Sequence, residues 1–338
     1  MKEIIILRLS SLGDIVMTSP VFEELKRLYP KARISFITSS QYHGLMDDNP
    51  HIDKIFYVET RIKHNKKEGL NTFINEFELN KINFDLLIDL HWNFRTVYLS
   101  KKLNAKRKVT WKSQALRRNI YVLFHLLFSI QPVTRRYLET IKSYINNDND
   151  NISNSYKYFF NTELAEELKL RIPGLVSAGL IFPASKWPTK MYPKEYFIEL
   201  INRLDTEFFL LGTKDEYEIC QFISEKTGMP NLAGELSIKE TAAAIAISRL
   251  VIANDSGPMH ISSGIGKPTI ALFGCTTTQL GFAPNQENSL IIEDSELLCR
   301  PCSLHGWEKC PKGHFKCMFN LNPEKVAAKI KNWLVNHE

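Results

Sequence analysis

Short, almost wholly apolar runs alternate along this chain with segments whose apolar residues recur every third or fourth position. In the first half the runs are "EIIIL", "ARISFIT", "KIFYV" and "FDLLIDL", and "VFEELKRLYP" and "EGLNTFINEFELNK" lie between them with helical spacing. In the second half the runs are "VSAGLIF", "EFFLLG", "RLVIAND" and "PTIALFG". The intervening helical patterns are "PKEYFIELINRL", "DEYEICQFISEKTG", "SIKETAAAIAIS" and "GPMHISSGIG", and "NPEKVAAKIKNWLVNH" closes the chain behind an Asn-Pro-Glu start signal. Strands that are apolar throughout and separated by helices predict parallel sheets covered on both faces. The polar stretch "NNDNDNISNS", Asn146 to Ser155, reads as a linker. The pattern therefore predicts two doubly wound α/β domains in tandem. Ligands of such sheets sit beyond the carboxyl ends of the strands, and a cleft between the two domains is the expected site.

Composition leaves this picture in place. Of 338 residues, 44% are hydrophobic and 24% charged, as in ordinary globular proteins. The start, Lys2 and a short apolar run before Arg8, falls short of a secretory leader, so a cytoplasmic protein is expected. The longest apolar segment, "IYVLFHLLFSI", is too short to span a bilayer and predicts a buried or interfacial helix.

Charge adds something. Residues 1–170 carry 26 Lys and Arg against 19 Asp and Glu, whereas residues 171–338 carry 17 against 18. Residues 91–138 hold 11 basic side chains and no acidic one, and "RIKHNKK" adds a second basic cluster. The asymmetry points to an anionic partner for the first half, with a solvated basic surface as the plainer reading. The arginine pairs around "NIYVLFHLLFSIQPVT" suit a core helix with charged ends or a contact with an anionic leaflet.

Three loops carry the candidate chemistry. "NDSGPMH" follows a strand and opens a helix. Ser256 stands at its N-cap, Gly257 permits close approach, and His260 lies one turn in. The free N–H groups of such a helix start suit a diphosphate, although a simply capped helix fits the spacing equally. "FPASKWPTK" places Ser185 and Lys190 beyond a strand, with Trp187 read as a packing residue. "LLGTKDEYE" puts carboxylates after a strand and Gly212, where ribose hydroxyls are often held. The opening "LRLSSLGDIVMTSP" is the odd one: strand, tight loop and helix, but with one glycine and with Asp14 where an anion would repel a phosphate. Four of the six cysteines, Cys299, Cys302, Cys310 and Cys317, crowd into "CRPCSLHGWEKCPKGHFKC". Their spacing suits a structural zinc; reduced thiols in a packed loop and a labile disulfide are the alternatives.

The opening motif, the "WPTK" loop, "GELS" and "NDSGPMH…GKPTIALFG" occur in this order in glycosyltransferase family 9, the ADP-heptose:lipopolysaccharide heptosyltransferases, which the chain resembles from residue 5 to about 326. "CRPC…CPKGHFKCM" before "NPEKV" resembles the heptosyltransferase II branch. The resemblance implies a GT-B fold, two Rossmann-like domains around a central cleft. Residues 1–165 would bind the acceptor and 170–320 the nucleotide sugar, and the helix of 321–338 would pack back on the first domain. It implies metal-independent, inverting transfer of heptose from ADP-heptose to the inner core of lipopolysaccharide, with no cofactor, at the cytoplasmic face of the inner membrane. Asp14 takes the place of the catalytic base. Ser185, Lys190, Glu216, Leu236, Asp255, Ser256, Gly257 and His260 take donor positions, with Asp215 the alternative to Glu216. Arg61, Lys63, Lys66, Lys67 and Arg95 are the basic candidates for the acceptor.

Two rivals stand beside this reading. One is a family 9 enzyme moving another sugar, since diphosphate motifs do not identify the sugar. The other is a nucleic-acid-binding protein built on the basic half and a zinc module, to which Trp92, Phe94 and Trp111 lend thin support. A nicotinamide oxidoreductase is disfavoured because no G-x-G-x-x-G follows either first strand.

Overall fold

The computed structural model describes residues 1–61, 66–125, 130–144, 155–285 and 287–336, and divides into two compact units. Residues 1–113 and 133–159 form the first; residues 114–132 and 160–338 form the second.

The first unit is built on a five-stranded parallel sheet in the order β3-β2-β1-β4-β5. Its strands are β1 (Glu3–Leu7), β2 (Arg33–Ser39), β3 (Lys54–Val58), β4 (Asn83–Asp89) and β5 (Asn104–Thr110). The register sets Ile4 beside both Ile34 and Leu86. Central β1 is apolar without alternation because helices cover both faces, and Ile4, Ile5, Ile6 and Leu7 are all fully buried. Strand order reverses between β1 and β4, which makes the loops after these two strands the topological switch point. The amphipathic segment after β1 is two helices, Leu12–Val16 and Ser19–Leu28, and Pro20 lies in the first turn of the second.

The second unit repeats the plan with β6 (Gly179–Phe182), β7 (Phe208–Leu210), β8 (Leu250–Asn254), β9 (Thr269–Phe273) and β10 (Ser289–Glu293), again all parallel, in the order β10-β9-β8-β6-β7. Counted within the unit this is 2-1-3-4-5, the flavodoxin-like variant of a doubly wound sheet, with its switch point between β6 and β8.

Residues 114–132 fall in the second unit, although they precede the expected boundary. Within that unit the Arg118 guanidinium lies 5.1 Å from the centre of the Phe282 ring, and the Tyr121 hydroxyl is bonded to Gln279. Their helix, Ala115–Phe124, buries Arg118 and Tyr121 and leaves Leu116, Leu123 and Phe124 exposed, so it is no ordinary core helix. The last helix, Pro323–Val335, packs Val326, Ala327 and Ile330 into the core of the second unit. Among the described residues no helix is long and apolar enough to cross a membrane.

Candidate active site

At the first switch point, Arg8 leaves the end of β1 and Asp14 sits in the short helix Leu12–Val16. Arg8 Nη2 is 2.7 Å from Asp14 Oδ1, and Arg8 Nη1 donates to the Leu90 carbonyl beyond β4 at 2.6 Å. The Tyr137 hydroxyl donates to the same Oδ1 at 3.3 Å. Asp14 Oδ2 accepts from Ser11 Oγ at 2.6 Å and from the Ser11 amide at 3.1 Å. The Arg8 guanidinium also lies 5.6 Å from the ring centres of both Trp111 and Tyr137, a distance at which cation–π attraction counts. Asp14 is thus a partly exposed carboxylate whose orientation is fixed from below by a buried arginine and a buried tyrosine. The Leu9 amide donates to His91 Nδ1 at 3.2 Å, tying the loop after β1 to the loop after β4. Burial first, and the Arg8 charge second, push the His91 pKa down to about 3, so its ring is neutral at ordinary pH.

The second switch point brings together the loops after β6 and β8. Lys190 Nζ is 2.7 Å from Asp255 Oδ2, which also accepts from the Thr276 hydroxyl at 2.6 Å. Burial alone would raise the Asp255 pKa; Lys190, Thr276 and His260 outweigh it and hold the carboxyl below its usual range. Ser256 occupies the N-cap of the helix Gly257–Ile265 with extended backbone, as expected, but its side chain makes no capping bond. Its Oγ is buried and lacks a partner among the described residues. An uncapped helix start beside a buried hydroxyl and a lysine is a site ready to donate to an anion. Ser185 is half-buried beyond β6 and His260 is buried one turn into the helix. Glu216 turns back on its own loop, accepting from the Thr213 amide at 2.7 Å, while Asp215 is exposed. Leu236 lines an open depression with Arg171, Pro173, Phe209 and Leu232.

Residues 78–307 match the model of glycosyltransferase family 9 (heptosyltransferase), more than half of the chain. The chain belongs to glycosyltransferase family 9. It is 29% identical over 336 residues to lipooligosaccharide heptosyltransferase 2 of Campylobacter jejuni subsp. jejuni serotype O:2, covering 96% of each chain. The crystal structure of a family 9 glycosyltransferase from Veillonella parvula DSM 2008 superposes with a TM-score of 0.80 at 24% identity, over 100% of this chain and 98% of that one. For the Escherichia coli ADP-heptose lipopolysaccharide heptosyltransferase II the TM-score is 0.76 at 18% identity, over 100% and 99%. The fold is GT-B, and the protein is a glycosyltransferase.

On the first unit of this family 9 chain the basic candidates are partly assembled. Arg95 lies in the first turn of the helix Phe94–Lys102, and its Nη2 donates to the Thr60 carbonyl at 2.7 Å, next to exposed Arg61. Lys66 and Lys67 are exposed at the start of the helix Lys66–Glu76, where cations work against the helix dipole and do nothing for the helix itself. Lys63 lies outside the described residues.

Arg8, Tyr137 and Thr276 were not singled out in the sequence. A basic residue ending an apolar strand and a Ser/Thr cluster after "IALFG" were the signals available for Arg8 and Thr276; nothing local marks Tyr137. The cysteine loop takes part differently than its spacing suggests. Cys299, Cys302, Cys310 and Cys317 line one water-sized cavity with Cys275 and His314, all as free thiols. Among the described residues no three His, Cys, Asp or Glu side chains are placed to hold a metal ion. The loop instead braces the segments that follow β6 and β9. Arg300 donates to the carbonyls of Gly274 and Thr276 beyond β9 and pairs with Glu293 at 2.8 Å. The Thr189 hydroxyl accepts from the Trp307 amide at 2.7 Å and from the Cys275 thiol at 3.3 Å. A Cβ on Gly306, whose φ is +111°, would meet Trp187 Cβ at 2.5 Å, so glycine there lets the two loops close on each other. Trp187 therefore has the packing role expected of it.

Proposed function

We propose that this enzyme transfers heptose from ADP-heptose to the inner core of lipopolysaccharide with inversion at the anomeric carbon. The observation that carries the reading is the donor loop: Lys190 held against Asp255, beside an uncapped helix start and the unpartnered Ser256 hydroxyl. These groups suit the charge that grows on a departing diphosphate, and in this reading they supply it without a divalent metal. The names of the similar proteins, two of them heptosyltransferases and one of these an ADP-heptose enzyme, support the donor.

In the first unit Asp14 is the proposed base. It takes the proton of the acceptor hydroxyl as that oxygen bonds to the anomeric carbon and the bond to ADP breaks on the opposite side. Arg61, Lys63, Lys66, Lys67 and Arg95 meet the carboxylates and phosphates of the core. Ser185 joins the diphosphate site, Glu216 (or Asp215) meets the ribose, and Leu236 meets the adenine at its open depression. Exposed Leu116, Leu123 and Phe124, beside Arg117, offer a surface for the cytoplasmic face of the inner membrane.

A donor screen read by mass spectrometry tests this reading. Heptosylated core product is expected from ADP-heptose and not from UDP- or GDP-sugars; the reverse pattern would assign the enzyme to another donor.

A further inference from the structure

At least four hydrogen bonds from described residues reach Asp14, and they raise a difficulty for its role as base. A carboxylate oxygen offers about two acceptor positions. Oδ1 accepts from Arg8 and Tyr137, and Oδ2 accepts from the Ser11 hydroxyl and the Ser11 amide. Both oxygens are thus filled before an acceptor arrives. Arg8 and Tyr137 are buried and packed with Trp111, and the Ser11 amide is part of the turn. The Ser11 side chain is different. Its residue is exposed and its bond to Oδ2 is short at 2.6 Å.

We infer that the Ser11 hydroxyl is the group that contacts the acceptor and relays its proton to Asp14. The inference rests on the reading of Asp14 as base. Ser11 Oγ has lone pairs to accept a hydrogen bond from the acceptor hydroxyl while its own proton points at Oδ2. As the acceptor oxygen bonds to the anomeric carbon and the anomeric C–O bond to the diphosphate breaks, the acceptor proton passes to Ser11 Oγ. The original Ser11 proton passes to Asp14 Oδ2. Serine ends neutral, Asp14 ends protonated, and the negative charge leaves with ADP, so the step balances without another reactant. Arg8 and Tyr137 keep Oδ1 occupied, which directs the proton to Oδ2.

The simpler competitor is displacement, in which the Ser11 side chain rotates away and the acceptor bonds Oδ2 directly. The two separate in single-turnover rates measured with ADP-heptose and a delipidated core acceptor, for the wild type, Ser11→Ala, Ser11→Thr and Asp14→Ala. The relay predicts that Ser11→Ala slows the transfer step by about 10- to 100-fold, less than loss of the base itself, with ADP-heptose KM within about twofold. Ser11→Thr, which keeps the hydroxyl, should retain most of the rate. The relay also predicts a bowed dependence of the wild-type rate on deuterium fraction, from two protons in flight, and a straight one in Ser11→Ala. A Ser11→Ala rate at or above wild type, or a straight wild-type dependence, would overturn it. The wild-type measurement decides even if the alanine variant folds poorly. Loss of activity in Asp14→Ala with a normal Ser11→Ala would reject the relay and leave the base standing; full activity in Asp14→Ala would reject the base itself.

Discussion

Lys190 Nζ and Asp255 Oδ2 lie 2.7 Å apart with their side chains only 14% and 8% exposed. The lysine expected to meet the donor is therefore already committed to a carboxylate, in surroundings where an unpaired charge is expensive. Truncating one partner of such a pair costs about 3–5 kcal/mol because the other is left buried and alone. Lys190→Ala should lower the melting temperature as well as abolish ADP binding. Lys190→Ala combined with Asp255→Asn should recover most of the melting temperature and none of the affinity, as read by thermal unfolding and calorimetric titration with ADP. Equal losses in both variants would mean that the pair does not couple.

The first unit carries a pH dependence in His91. Its pKa is pushed from an ordinary 6.5 to about 3, by burial first and then by Arg8. On unfolding the ring regains its ordinary basicity, so between these values the unfolded chain binds the extra proton. The stabilisation is complete above pH 6.5 and lost as the pH falls toward 3, at up to about 1.4 kcal/mol per pH unit. His91→Gln should flatten the decline of the denaturation midpoint between pH 6.5 and 4. An unchanged slope would place the proton uptake elsewhere.

Arg8 is expected to act on both stability and rate. Its guanidinium holds Asp14, the Leu90 carbonyl and the Trp111 and Tyr137 rings together. Arg8→Met keeps much of the volume but leaves Asp14 and its neighbours without their cation. A destabilisation of about 3 kcal/mol is expected, with kcat falling and donor KM little changed. Tyr137→Phe removes only the 3.3 Å bond and should cost about 1 kcal/mol or less. Urea unfolding and steady-state kinetics on both variants check the ranking.

What the sequence revealed and what it hid follow from burial. The eight strands that it predicts are the apolar ones, buried between helices, such as "EIIIL" and "RLVIAND". The two it missed, β5 and β10, are edge strands, as are β3 and β7, whose apolar runs gave them away. β5 reads "NAKRKVT", with Lys106, Arg107 and Lys108 exposed, because an edge strand has one flank in water and is commonly charged. Helix spacing could not tell that residues 115–124 would turn Arg118 and Tyr121 inward and Leu123 outward, since that depends on partners far along the chain, such as Gln279 and Phe282. The candidate site was legible where it lies in the segment that follows a predicted strand: Asp14, Lys190 and Asp255. Tyr137 comes to Asp14 from 123 residues away, and no local pattern announces such a contact.

The most direct test of the account is the rate of heptosyl transfer by Asp14→Ala measured together with its affinity for ADP-heptose. Asp14 belongs to the first unit and the loops proposed to bind the donor belong to the second, so chemistry and donor binding should separate in this variant. The account predicts a kcat about 10²- to 10⁴-fold below wild type with the donor dissociation constant within twofold. Near-normal turnover with intact donor binding would contradict it.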